Sequence, residues 1–187
     1  SGQAALDQLK NMSLKSFFHI GPPRDFDLFK TFESQKTEKI DVSDFLLCTG
    51  LFDEYQIDLK FYEKLLLDHT KKKMICTNPD LIVDRGNIRE FCAGTIAKIF
   101  EKLGGDVKYF GKPYPEVYEK AFNNLKGKKV ICIGDNLNTD IKGANIQNFD
   151  SLLISNGIHK NEISNGIKGL TKKYNVNVNY TQTELKW

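Results

Sequence analysis

Apolar positions along this chain fall into two alternating patterns. Short, nearly unbroken apolar runs occur at residues 16–20, 44–49, 73–76, 107–110, 130–133 and 151–154, the length and content of strands buried on both faces. Between them, apolar residues recur at helical spacing over 3–11, 26–33, 59–69, 89–103, 115–124 and 139–146. A last short strand is expected at 176–180, where Val176, Val178 and Tyr180 alternate with Asn177 and Asn179. Residues 157–173, with their Asn-Gly and Lys-Lys pairs, read as loop plus one weak helix. Strand alternating with helix in this way predicts parallel βαβ units, and hence an α/β fold.

The ends of two of these strands carry the chemistry. The run Val130-Ile131-Cys132-Ile133 stops at Gly134, and two carboxylates follow, Asp135 and Asp140. Parallel sheets bind ligands at the carboxyl ends of their strands, where Gly134 and Asp135 fall. Thr139 is placed to cap the next helix, which puts Asp140 in its first turn, folded back towards Asp135. Two hard oxygen ligands on one loop make half of a Mg²⁺ site. Upstream, Tyr109-Phe110-Gly111-Lys112-Pro113-Tyr114-Pro115 reads as a strand end, a Gly-Lys-Pro turn and a helix opening at Pro115. A lysine fixed between Gly and Pro at a strand end is well placed to neutralise a phosphate as a point charge.

Together, Gly111-Lys112-Pro113 and Gly134-Asp135 through Thr139-Asp140 resemble the third and fourth motifs of the haloacid dehalogenase (HAD) superfamily of aspartate-nucleophile phosphatases. Thr77-Asn78-Pro79-Asp80, after Lys73-Met74-Ile75-Cys76, resembles the substrate loop of its capped, NagD-type (class IIA) sugar and nucleotide phosphatases. Glu90-Phe91-Cys92-Ala93-Gly94-Thr95 follows the pattern of that group's next helix, and the resemblance runs from about Ser1 to Ser155. It implies a Rossmann-like parallel-sheet core with an α/β cap. Residues 1–13 would be a remnant helix of the core, 14–108 the cap, and 109–187 the C-terminal part of the core. It further implies a Mg²⁺-dependent phosphatase of small phosphorylated metabolites, working through an aspartyl-phosphate. Lys112, Asp135 and Asp140 would be its catalytic residues; Asp135 and Asp140 form its metal site, Asp135 ligating directly and Asp140 holding a metal-bound water or Lys112. Asn78, Asp80, Arg85 and Asn136 would be substrate contacts.

Two parts of the family pattern are missing from this sequence. Neither an apolar-strand-Asp-x-Asp-Gly segment, which carries the nucleophile, nor the second motif's strand-end Ser, Thr or Asn is found. The one Asp-x-Asp, Asp25-Phe26-Asp27, follows Pro22-Pro23-Arg24 several residues beyond the apolar run and has no glycine after it. It reads as a pair of helix N-terminal acids. Ser1-Gly2-Gln3-Ala4-Ala5 matches the helix just after the second motif, so the chain resembles roughly the back two-thirds of such an enzyme, its N-terminal core strands missing. The expectation for the fold is then specific: the strand at 130–133 lies at an unnatural sheet edge, or pairs with a strand of another chain in a homo-oligomer.

Bulk properties narrow the alternatives. The 187 residues suffice for one domain or two small ones, at 40% hydrophobic and 27% charged. A net charge of +3 gives no argument for a nucleic-acid partner, and the runs Lys71-Lys72-Lys73 and Lys126 to Lys129 read as solvated loop charge. No apolar stretch approaches the ~18 residues that span a bilayer, and no secretory signal opens the sequence. Cys48, Cys76, Cys92 and Cys132 form no Cys-x-x-Cys pair, and read as reduced core thiols of a cytoplasmic protein. His19, His69 and His159 show no zinc spacing. A phosphate-loop reading of Gly105 to Lys112 fails, because five residues rather than four precede Gly111-Lys112 and Pro113 follows. The other readings are a catalytically inactive fragment or pseudoenzyme that binds a ligand or partner, and a receiver-like domain. The latter is disfavoured by the cap-like insertion and the Asn78 loop.

Overall fold

The computed structural model describes residues 2–11, 15–122, 127–163 and 166–186, and divides into two compact units, Ser1–Gly111 and Lys112–Trp187. Residues 123–124 of the expected 115–124 helix, the 13–14 boundary and the ends of the chain lie outside the described residues.

The first unit is built on a five-stranded parallel sheet. Its strands are β1 (Phe17–Ile20), β2 (Lys36–Thr37), β3 (Phe45–Cys48) and β4 (Lys73–Cys76), then, beyond a hairpin, β7 (Asp106–Tyr109). Their order is β2-β1-β3-β4-β7. β3 sits centrally and is buried along its whole length, which is why Phe-Leu-Leu-Cys contains no polar residue. Helices α2 (Leu59–Leu67) and α3 (Ala93–Lys102) connect β3 to β4 and β4 to β7. Asp58 caps α2, its carboxylate accepting the Phe61 N–H at 3.2 Å. Helix α1 (Gly2–Lys10) places Ala4, Ala5 and Leu9 in this unit's core, beside Phe17, Phe29, Phe45 and Phe110.

Two elements here differ from the periodicity reading. The segment expected as an α-helix at 26–33 is a 3₁₀ helix over Pro23–Gln35. Phe26, Phe29 and Phe32 are its buried residues, and their strict spacing of three matches the three residues per turn of that helix, which stacks them on one face. The helix expected at 89–103 begins only at Ala93. Residues before it form an antiparallel hairpin, β5 (Ile82–Arg85) with β6 (Ile88–Phe91), closed by Gly86 at φ +61° and Asn87. The left-handed backbone at Gly86 turns the chain in two residues, so Arg89 to Phe91 pair as strand rather than extending the helix.

The second unit carries a three-stranded parallel sheet in the order β10-β9-β8, from β8 (Ile131–Gly134), β9 (Asp150–Ile154) and β10 (Tyr180–Gln182). Among the described residues β8 pairs only with β9, so it lies at the edge of its sheet, as expected. Leu137, Ile141, Leu153, Leu170 and Val176 form the core beneath it. Helices α4 (Pro115–Phe122), α5 (Lys142–Ile146), α6 (Lys160–Ile163) and α7 (Ile167–Tyr174) complete the unit, so 157–173 holds two short helices rather than one. The strand expected at 176–180 is displaced to Tyr180–Gln182. The alternation before it serves another purpose: Val176 is buried, while Asn177 and Asn179 bond Asn145 and Ser151. Those bonds hold 177–179 away from a strand ladder.

Candidate functional site

The second unit's site grows from the end of β8. After Gly134 the chain leaves the sheet through Asp135 and Asn136 into a π-type turn, Leu137–Ile141, which runs into α5. The wide turn is seen in the Ile141 N–H, which reaches the Asn136 carbonyl at 3.2 Å, five residues back. Such turns are uncommon and concentrate at functional sites. Asn136 is the residue that caps it, its side-chain oxygen accepting the Asn138 N–H at 2.9 Å. The cap expected of Thr139 is therefore not made; Thr139 lies inside the turn and is buried.

The turn folds Asp140 back over the strand end. One Asp140 oxygen accepts the backbone N–H groups of Asp135 at 3.2 Å and Asn136 at 3.1 Å. The other is ion-paired with the Lys112 ammonium. Asp140 is 8% exposed and Lys112 49%, so the pair is anchored at its acidic end and open at its basic end. A Cβ at Gly134 would overlap the Asp140 carboxylate, which explains a glycine at this position. Gly157 is required in the same way beside Asp135, and the adjacent Ile158 N–H donates to an Asp135 oxygen at 3.0 Å. Lys112, Asp135, Asn136 and Asp140 are thus brought together in one unit.

The residues fit a hard divalent cation in part. No group of three or more His, Cys, Asp and Glu side chains able to hold a metal occurs among the described residues. Two carboxylates stand on one loop, but both Asp140 oxygens are committed, one to the loop backbone and one to Lys112. Asp135 is therefore the carboxylate with an oxygen to offer, and Asp140 positions it and the lysine. Mg²⁺ keeps several waters and takes few protein carboxylates, so one such ligand plus phosphate oxygens is an ordinary set for it.

In the first unit the remaining candidates gather at the carboxyl ends of β1, β3 and β4. A cavity of about 320 Å³ opens there, lined among others by Arg24, Asp25, Thr49, Asn78, Arg85 and Arg89. Asn78 turns its side-chain oxygen onto the Asp80 N–H at 3.2 Å, the local bond that makes this loop tight. Asp80 itself is not among the lining residues; its carbonyl accepts the Gly94 N–H at 3.1 Å and ties the loop to the start of α3. Arg85 and Arg89, on the two hairpin strands, pair with Glu90 at 3.1 Å and with Asp84 at 2.7 Å. Arg24 pairs with Asp53 at 2.7 Å.

Arg24, Asp25 and Arg89 are absent from the sequence-derived set. Asp25 does stand in the first turn of the 3₁₀ helix, as expected, but it also faces the cavity. Burial raises its carboxyl above the usual range, against the opposing pull of Arg24. The signal that finds Arg24 and Asp25 is their position just past the end of β1, the place where parallel sheets put ligand contacts. Arg89 was hidden by its assignment to a helix.

Known proteins resemble this chain in sequence and in fold. A family model described as HAD-hydrolase-like matches residues 109–174. A HAD-like hydrolase from Brucella suis is 30% identical, with a TM-score of 0.74 over 84% of this chain and 61% of that one. The p-nitrophenyl phosphatase of Archaeoglobus fulgidus shares the fold at 17% identity, with a TM-score of 0.67 over 98% of this chain and 70% of its own. A dihydroxyacetone phosphatase from Corynebacterium glutamicum is 29% identical over 89 residues, which are 46% of this chain and 32% of that protein. The chain thus spans about a third of the curated relative it matches. Residues 109–174 thus match the HAD-hydrolase-like family model in sequence, and the chain is similar in fold to haloacid dehalogenase-like hydrolases.

Proposed function

We propose that this chain carries the lysine-and-carboxylate half of a Mg²⁺-dependent phosphatase of the capped, NagD-type group, acting on small phosphorylated metabolites. The observation that carries the reading is the Lys112–Asp140 pair, clamped to the loop that presents Asp135 at the end of a parallel strand. Asp135 would hold the cation, which when bound offsets charge on the transferring phosphoryl group. Lys112 adds a second positive charge at the phosphate, held in direction by Asp140. Asn136 is engaged in capping and its further part would be a polar contact to the ester.

Asn78 and Arg85, with the other polar groups of the 320 Å³ cavity, would select the organic part of the substrate, and Asp80 would act by holding the Asn78 loop. The relative from Corynebacterium glutamicum is named for a three-carbon phosphate ester, a small phosphorylated metabolite of the proposed class. The four free cysteines accord with a cytoplasmic setting. Among the described residues no helix is long and apolar enough to cross a membrane.

The nucleophile of this chemistry is an aspartate with backbone donors around it. Asp25 and Asp27 are not assigned that role, since they lie in the opening turns of a 3₁₀ helix and no glycine follows them. The 187 residues alone are therefore expected to release no phosphate from p-nitrophenyl phosphate or dihydroxyacetone phosphate. A protein in which an Asp-x-Asp-Gly strand completes the sheet beside β8 is expected to do so, with Mg²⁺ required. Turnover by the 187 residues alone would overturn the missing-nucleophile reading, and metal-independent turnover by the completed protein would overturn the metal reading.

A further inference from the structure

We propose that His159 is a positioning residue for the acidic loop: its neutral imidazole holds the Leu137 N–H and thereby fixes the direction in which Asp135 presents its carboxylate to a divalent cation. The inference rests on the metal-site reading above, but its first test does not need the metal.

The structural case is a chain of bonds within the second unit. Leu137 opens the π-type turn, so its N–H is one of the donors that a helix start leaves without an internal acceptor. His159 Nε2 lies 3.2 Å from it. A backbone N–H is only a donor, so Nε2 is the unprotonated nitrogen and the ring proton sits on Nδ1. Nδ1 then donates to Glu162 at 2.7 Å, across the first turn of α6. Glu162 is in turn held by the Lys173 ammonium at 2.6 Å and the Tyr174 hydroxyl at 3.1 Å, both from the end of α7. With Lys173 first and His159 second among the causes, its carboxyl is held down to about 2 and remains a charged acceptor. The Tyr174 ring packs edge-on against the imidazole, centroids 4.8 Å apart, so orientation and tautomer are both fixed.

The neighbours of His159 act on the same loop. Gly157 lies close against Asp135, and Ile158 donates to its carboxylate at 3.0 Å. Three consecutive residues, 157–159, therefore touch the loop at Asp135 and Leu137, and His159 is the one side chain among them that bonds it. His159 is buried, and the loop's opposite end is held by Asp140. Nothing else in the proposed function uses this histidine. Its arrangement is that of a group placed behind a ligand loop, where a lost partner typically weakens metal binding by roughly 10–100-fold.

The test compares His159→Phe, which keeps an aromatic ring but no acceptor, with His159→Gln, whose amide oxygen can reach the Nε2 position. In the metal-free 187-residue chain, hydrogen exchange at the Leu137 amide is expected to quicken by about tenfold in His159→Phe, the loss of roughly one buried hydrogen bond. It should stay near wild type in His159→Gln. In calorimetric titration with MgCl₂, His159→Phe is expected to raise Kd by about tenfold and His159→Gln to recover most of that. Unchanged Leu137 exchange in a folded His159→Phe, or equally quickened exchange and equally weakened Mg²⁺ binding in both variants, would overturn the positioning role. Quickened exchange at Leu137 in His159→Phe, when the wild-type chain itself shows no Mg²⁺ response, would support the hold on the loop and would remove the cation from the proposed function. If His159→Phe does not fold, the ¹⁵N shifts of the wild-type imidazole decide: a protonated Nε2 overturns the inference, and a protonated Nδ1 with bare Nε2 supports it.

Discussion

Lys112 and Asp140 show how a surface lysine becomes a directed charge. An exposed ion pair contributes little to stability, because both side chains lose freedom and water screens them. Here the acidic partner is buried and its second oxygen is occupied by two backbone donors, so the lysine meets a carboxylate that cannot swing away. In a catalytically complete protein, Lys112→Ala and Asp135→Asn are each expected to lower kcat/KM by on the order of 10²-fold or more, since each removes charge directed at the transition state. Steady-state kinetics on dihydroxyacetone phosphate checks this, and wild-type values in either variant would take that residue out of the site. The two acids and the lysine were legible in the sequence because strand-end Gly-Asp and Gly-Lys-Pro are local patterns. The choice of Asn136 over Thr139 as cap was not, because it depends on a wide turn that brings the Asn136 carbonyl to Ile141.

His19 gives a prediction of a different kind at the same scale. It is buried on β1, bonds the Thr49 hydroxyl at 2.8 Å, and has its pKa lowered to about 4 by burial and by Lys36. In the unfolded chain a histidine titrates near ~6.5. Between those values the unfolded state binds the additional proton, so stability is full above about 6.5 and falls as pH drops towards 4. The loss attributable to His19 over that window is about 3 kcal/mol at most. Urea melts of the first unit's signal at pH 7 and pH 4.5 should show the decline, and His19→Gln should flatten it. An equal decline in both proteins would exclude His19 as the cause.

At the scale of elements, the hairpin and α3 fix the loop that carries Asn78. Gly94 is the joint: its N–H bonds the Asp80 carbonyl, and a Cβ there would overlap the backbone of Pro79 and Asp80. Neither peptide can give way as a flexible side chain would. Gly94→Ala is therefore expected to destabilise the first unit by about 2 kcal/mol, in the range of core overpacking, and to displace Asn78 from the cavity. Thermal unfolding measures the first effect. A changed preference among phosphate esters, with kcat on p-nitrophenyl phosphate retained, measures the second. Apart from β2, whose Lys36 and Thr37 carry no apolar run, and β10, displaced from 176–180, the parallel strands were legible from their short apolar runs. The hairpin was missed although Gly86-Asn87 between two short runs is a hairpin signal, because the helical period of 93–102 was carried backwards over Arg89 to Phe91. The spacing of three in Phe26, Phe29 and Phe32 likewise distinguishes a 3₁₀ helix from an α-helix once it is counted over three turns.

At the scale of the whole molecule the unresolved demand is the open side of β8. Interior strands of parallel sheets are apolar on both faces, and Val-Ile-Cys-Ile is such a sequence. Yet β8 pairs with β9 alone among the described residues, and Ile131 and Ile133 are 47% and 37% exposed. Cys132, between them, is only half-buried. A parallel edge with apolar side chains and unpaired backbone groups is a template for a further strand. Any chain that ends its sheet here is expected to associate through it. Sedimentation velocity of the 187 residues from low to high micromolar concentration should show growth of dimers or larger species. Ile131→Lys, which places a charge on the edge without touching the loop at 135–140, should suppress that growth and leave the Leu137 amide protection unchanged. A wild-type chain that stays monomeric across the range, with slow exchange along 131–133, would show that the edge is closed by some other contact.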